Sequence, residues 1–148
     1  MRYLTLLPRF KNCMSKVVQI IERIRSLAGT AKDIDVALDK RHGIDRRLGI
    51  RHGDPKVRAR NEVENRAETE IKAVLDGLDL DTLHRIEALM YSGRGDGSAV
   101  ELRRQIAADR QSREDAVRTL LEKRASFDMY FDRGLTGAKA DGIDLDTF

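Results

Sequence analysis

Asp79-Leu80-Asp81-Thr82-Leu83-His84-Arg85-Ile86-Glu87-Ala88-Leu89-Met90-Tyr91-Ser92-Gly93-Arg94-Gly95-Asp96-Gly97 is the stretch on which the fold class turns. Leu83, Ile86, Leu89 and Met90 recur at helical spacing. Asp79 or Asp81 supplies an acidic cap before them, and the glycine-rich run from Ser92 stops the element. A helix of about three turns does not hold alone in water, so it must be packed between others. No segment shows period-two alternation with turn signals, so those neighbours are helices and not strands.

Outward from this centre, the chain carries the start signals of further helices. Ser98 with Glu101 and Ser112 with Asp115 are capping boxes, opening helices with Leu102, Ile106 and Ala107, then with Ala116, Val117, Leu120 and Leu121. Ser126 is placed to cap a short last helix whose Phe127, Tyr130 and Phe131 provide aromatic packing before Gly134. On the N-terminal side, Asp54-Pro55 reads as an acidic cap followed by proline at the first helical position, where its missing N–H costs nothing. Val63, Ala67, Ile71, Val74 and Leu75 form that helix's stripe, and its polar first two turns are expected to project from the body. Val17, Ile20, Ile21, Ile24, Leu27 and Ala28 share another face, which Gly29 is expected to end. Thr30 with Asp33 then opens a short helix with Ile34, Ala37 and Leu38. The sum is an all-α, single-domain orthogonal or irregular bundle of about six helices over residues 14–135. Residues 1–13 are read as a leader or a wrongly assigned start, and 136–148 as a flexible acidic tail.

The composition fits one domain: the chain is 148 residues long, 41% hydrophobic and 36% charged. Seven aromatic rings and no Trp leave little for base stacking. One cysteine, Cys13, points to a reducing cytoplasmic setting, and no run reaches the length of a membrane span. The net charge of +3 is unevenly placed. Residues 40–60 hold eight basic side chains against Asp45 and Asp54, a local +6 that leaves −3 for the rest. Six of the eight are arginines, which suit bidentate contact with phosphates or carboxylates. Lys56 and Arg58 also occupy the first turn of a helix, where the macrodipole disfavours cations. The helix start at Pro55 can therefore seat an anion among Arg46, Arg47, Arg51, Lys56, Arg58 and Arg60. The Arg-His-Gly triplet at 41 and again at 51 is too little for a repeat architecture.

Other candidates are weaker. Gly93-Arg94-Gly95-Asp96 reads first as a structural turn in which Arg94 and Asp96 tie neighbouring helices, and second as a docking turn. His42, His52, Asp45 and Asp54 do not match zinc spacing and stand beside arginines, so no metal is expected. His84 reads as an exposed histidine on an amphipathic helix. No nucleophile, base and orienting acid can be assembled, since Ser15, Ser98, Ser112 and Ser126 are better used as caps. Neither a catalytic residue nor a cofactor is expected.

The order Ile86-Glu87-Ala88-Leu89-Met90-Tyr91-Ser92-Gly93-Arg94-Gly95-Asp96, then Leu120-Leu121, then Tyr130-Phe131-Asp132-Arg133-Gly134-Leu135 resembles a bacterial domain-of-unknown-function family. In that family an Ala-Leu-Met helix end runs into a Gly-Arg-Gly-Asp turn, and a later helix ends in an aromatic Gly-Leu terminus. The resemblance covers about residues 70–135 and implies a helical domain with no established activity. Residues 1–60 depart from its pattern. The expected function is that of a non-enzymatic binding protein that turns its arginine-rich segment to an anionic partner, nucleic acid before membrane. The alternative is a protein–protein adaptor or inhibitor docking on an acidic or nucleic-acid-handling surface.

Overall fold

The computed structural model describes residues 14–44, 55–109 and 111–148. Among the described residues six α-helices follow in order: α1 (Lys16–His42), α2 (Pro55–Asp76), α3 (Leu80–Arg94), α4 (Ala99–Ala108), α5 (Arg113–Glu122) and α6 (Phe127–Ala140), with a 3-10 turn at Arg124–Ser126 before α6. The protein is an all-α bundle, with no strand among the described residues.

The caps are where the side-chain chemistry places them. Asp79 accepts from the Thr82 amide at 2.7 Å, Ser98 from Glu101 at 3.3 Å and Ser112 from Asp115 at 3.2 Å. Ser126 makes no such bond; the 3-10 turn leads straight into α6 instead. The helix expected to stop at Gly29 does not stop there. α1 runs unbroken for 27 residues, and the Thr30–Asp33 pair lies inside it. A glycine in a helix costs only about 1 kcal/mol relative to alanine, and α1 offsets that by packing along α2. Its inner stripe after Gly29 is Ala31 and Asp35, while Ile34 and Ala37 are exposed.

α3 is the centre of the body. It is buried on almost every side, through Leu83, His84, Ile86, Glu87, Ala88, Leu89, Met90 and Gly93. It packs on α6 with no side chain between the two backbones at their closest point. A Cβ on Gly93 would fall 1.6 Å from the Tyr130 carbonyl oxygen, and one on Gly134 would fall 2.0 Å from that of Leu89. Gly134 is therefore a packing requirement inside α6 and not a helix stop, which is why α6 continues to Ala140. Phe127 and Phe131, with ring centroids 5.1 Å apart, fill the space beside this contact. Val17, Ile21 and Ile24 of α1, Ile71 and Leu75 of α2 and Leu120 of α5 close the main core. Fully burying each such side chain stabilises the fold by about 1.5–3 kcal/mol.

The segment expected to be a flexible acidic tail is also ordered by contacts. Beyond α6 the chain folds back so that Ile143, Leu145 and Phe148 pack against the core. Asp146 sits at the start of α1, accepting from Ser15 Oγ at 2.7 Å, the Val17 amide at 3.0 Å and the Lys16 amide at 3.2 Å. The first turn of α1 contains no acidic residue, so Asp146 supplies across the fold the negative charge and acceptors that a helix N-terminus calls for. Arg85 Nε donates to the Phe148 carbonyl at 3.1 Å.

Candidate functional site

α1 and α2 form an antiparallel hairpin, and one ion group shows its register. Arg60 Nε lies 3.9 Å from Asp35 Oδ2 and 3.9 Å from Asp39 Oδ1. Nearer the body, Leu27, Ala31, Val63 and Ala67 line one groove between the two helices, and Ile20, Leu27 and Val74 line another. With residue 60 level with 35–39, the turns on either side of the connection must lie together: Lys40 and Arg41 at the end of α1, Lys56 and Arg58 at the start of α2. All four are exposed. Lys40, Arg41 and His42 in the last turn of α1 suit the negative end of its dipole. The first turn of α2 has no acidic residue to match its positive end.

The six basic residues selected from the sequence thus divide. Arg46, Arg47 and Arg51 lie outside the described residues, as do His52, Asp45 and Asp54. Lys56 and Arg58 face solvent at the hairpin end. Arg60 does not: its side chain is 14% exposed and is turned onto α1 toward two carboxylates. Its spacing from Asp35 and Asp39 is a tertiary relation that no local pattern in the sequence contains. Nor do the first two turns of α2 stand apart as a polar projection, since Val57 and Arg60 both pack inward.

The glycine-rich turn is built differently from the sequence expectation. Gly95 takes a left-handed φ of 101° and closes α3 through amide bonds to Tyr91 and Ser92. Arg94 and Asp96 tie to one another, Nε to Oδ2 at 2.8 Å, and not to neighbouring helices. The Arg94 guanidinium also lies 4.6 Å over the Tyr91 ring. Gly93 is buried against α6, so any docking at this turn falls to Arg94, Gly95 and Asp96.

Sequence reasoning missed two polar residues inside α3. His84 is 4% exposed and Glu87 3% exposed. Burial and the nearby Arg103 charge hold the His84 imidazole below its usual range, with Asp81 acting the other way. Burial pushes the Glu87 carboxyl up to about 7, against a hydrogen bond from Gln111 that lowers it. Treating α3 as amphipathic assigned His84 to a wet face and left Glu87 without a role. The signal against that was present: only Arg85 and Glu87 are charged between Leu83 and Gly93, in a chain that is 36% charged. So sparse a stretch belongs to a helix enclosed on all sides.

Glu87 forms part of the lining of a cavity of about 580 Å³ between α3, α4 and the start of α5. Among the described residues no group of three His, Cys, Asp or Glu side chains could hold a metal ion, and no helix is long and apolar enough to cross a membrane. The chain matches no protein-family model, no curated protein and no solved structure.

Proposed function

We propose that this is a non-enzymatic binding protein that presents the end of its α1–α2 hairpin to the phosphates of a nucleic acid. The observation that carries this reading is the hairpin register. It gathers Lys40, Arg41, Lys56 and Arg58, all exposed, at one end of the molecule, while Arg60 and its carboxylates stay within the hairpin. Arg46, Arg47 and Arg51 lie in sequence between those same turns. The remainder of the chain is mildly acidic, so an anionic partner is drawn to this end and repelled elsewhere. Phosphate contacts of this kind position a partner without reading its bases, and the scarcity of aromatic rings agrees with contact to the backbone and not to stacked bases.

The test is a salt titration of duplex DNA binding. With about six phosphates neutralised, affinity falls roughly a thousandfold between 50 and 200 mM salt. Absence of binding at low salt, or binding indifferent to salt, excludes the reading. A stoichiometric complex that survives nuclease treatment would instead favour the adaptor alternative, in which the same arginines pair with carboxylates of a protein partner.

A further inference from the structure

We propose that the cavity between α3, α4 and α5 is a binding site for a primary alkylammonium group, with the carboxylate of Glu87 as its anionic seat. Among the described residues four carboxylates line it, Glu87, Asp96, Asp109 and Asp115, with the guanidinium of Arg94. That guanidinium is already held by Asp96 and by the Tyr91 ring, and Asp115 pairs with Arg118. Among the described residues these carboxylates come from α3 and its turn, from the end of α4 at Asp109 and from α5 at Asp115. Glu122 of α5 adds another near Tyr91.

Acidic residues on a surface would not define a site, but Glu87 is not on the surface. It is 3% exposed, and its Oε2 is buried without a hydrogen-bond partner. A buried carboxylate oxygen left unpaired is costly. A small cation with N–H donors removes that cost by supplying both charge and hydrogen bonds. Tyr91, Leu102 and Ile106 line the same space and offer apolar surface to a short methylene chain. About 580 Å³ is ample for an alkylamine. A bare metal ion is the poorer fit, because no three ligating side chains converge among the described residues. His84, one turn earlier on α3, faces Arg103 and Asp81 and is not part of the lining.

The seat works only when Glu87 has lost its proton. Burial holds that proton on to about pH 7, whereas an alkylammonium keeps its charge well beyond this. Binding therefore expels the Glu87 proton, and affinity rises with pH until Glu87 is ionised in the unliganded protein.

Calorimetric titration and amide chemical shifts with n-pentylammonium, its neutral counterpart n-pentanol, and Nα-acetyl-lysine methylamide test this on the full chain. The expected result is that n-pentylammonium binds, moves the resonances of Glu87, Tyr91 and Gln111, and tightens about tenfold from pH 6 to pH 8, while n-pentanol does not bind. Comparable binding of the lysine derivative would place the natural amine on a protein side chain; binding of n-pentylammonium alone would indicate a free amine. Glu87→Gln is expected to abolish the pH step and most of the affinity. Three results would overturn the proposal: no binding of n-pentylammonium, equal binding of n-pentanol, or an unchanged affinity and pH profile in E87Q. The unsubstituted protein's pH profile and the pentanol comparison stand even if that variant folds poorly.

Discussion

Gly93 and Gly29 make opposite demands on the chain. A methyl group at Gly93 would enter the Tyr130 carbonyl, whereas one at Gly29 meets nothing within 4 Å. Gly93→Ala should therefore destabilise the protein by about 3 kcal/mol, since helix backbones must move apart to admit it. Gly29→Ala should stabilise it by roughly 0.5–1 kcal/mol through helix propensity alone. Thermal or urea unfolding of the two variants measures both, and similar effects at the two sites would contradict the packing described. Glu87 gives a second residue-scale prediction. Its pKa is raised in the folded state from an ordinary 4.5 to about 7, so the folded protein binds the extra proton. Stability is greatest below the unfolded value and declines as pH rises toward 7. Glu87→Gln, which cannot ionise, should match the parent near pH 5 and exceed it by about 2 kcal/mol at pH 8. Equal unfolding curves at pH 8 would show that the carboxyl is not so enclosed. The enclosure of Glu87 is marked in the sequence by the scarcity of charge around it, whereas the role of Gly93 is not legible locally. A glycine beside Arg-Gly-Asp-Gly looks like part of a turn, and only the opposing Gly134, forty-one residues on, reveals a crossing.

Among the elements, those built on local signals were legible and those built on distant partners were not. Asp79, Ser98 and Ser112 cap the helices they precede because a cap needs only its own next turn. α1 was misjudged for the converse reason. Gly29 and the Thr30–Asp33 pair are genuine local signals for a break, but packing on α2 along its length overrides them. The start of α1 likewise depends on Asp146, more than a hundred residues away. The Val17 amide above all, with Ser15 and Lys16, holds the Asp146 carboxyl below its usual range. Its contribution is thus complete above the ordinary aspartate range and is lost as pH falls through the lowered value. Asp146→Ala should cost about 1–2 kcal/mol at neutral pH and free the first turn of α1, read as faster amide exchange at Val17 and Val18. Unchanged exchange there would mean that Ser15 suffices as the cap.

For the molecule as a whole, the asymmetry of charge visible in the composition acquires a direction. The sequence located eight basic residues in one segment, and the hairpin register turns four of them outward at a common end while drawing Arg60 in against Asp35 and Asp39. Arg60→Ala is accordingly expected to lower stability, by removing a largely buried cation near Asp35 and Asp39, and to leave anion binding by the folded protein nearly unchanged. In the proposed function the hairpin end, and not overall positive charge, engages the anionic partner. The most direct test of this compares duplex DNA affinity at 50 mM salt for Arg41→Glu/Arg58→Glu with that of Arg104→Glu/Arg133→Glu, which makes the same charge change at exposed positions of α4 and α6. The hairpin pair should lose at least about a hundredfold in affinity and flatten the salt dependence by about two phosphates' worth, while the body pair stays within a few-fold of the parent. Equal losses in the two variants would contradict the account.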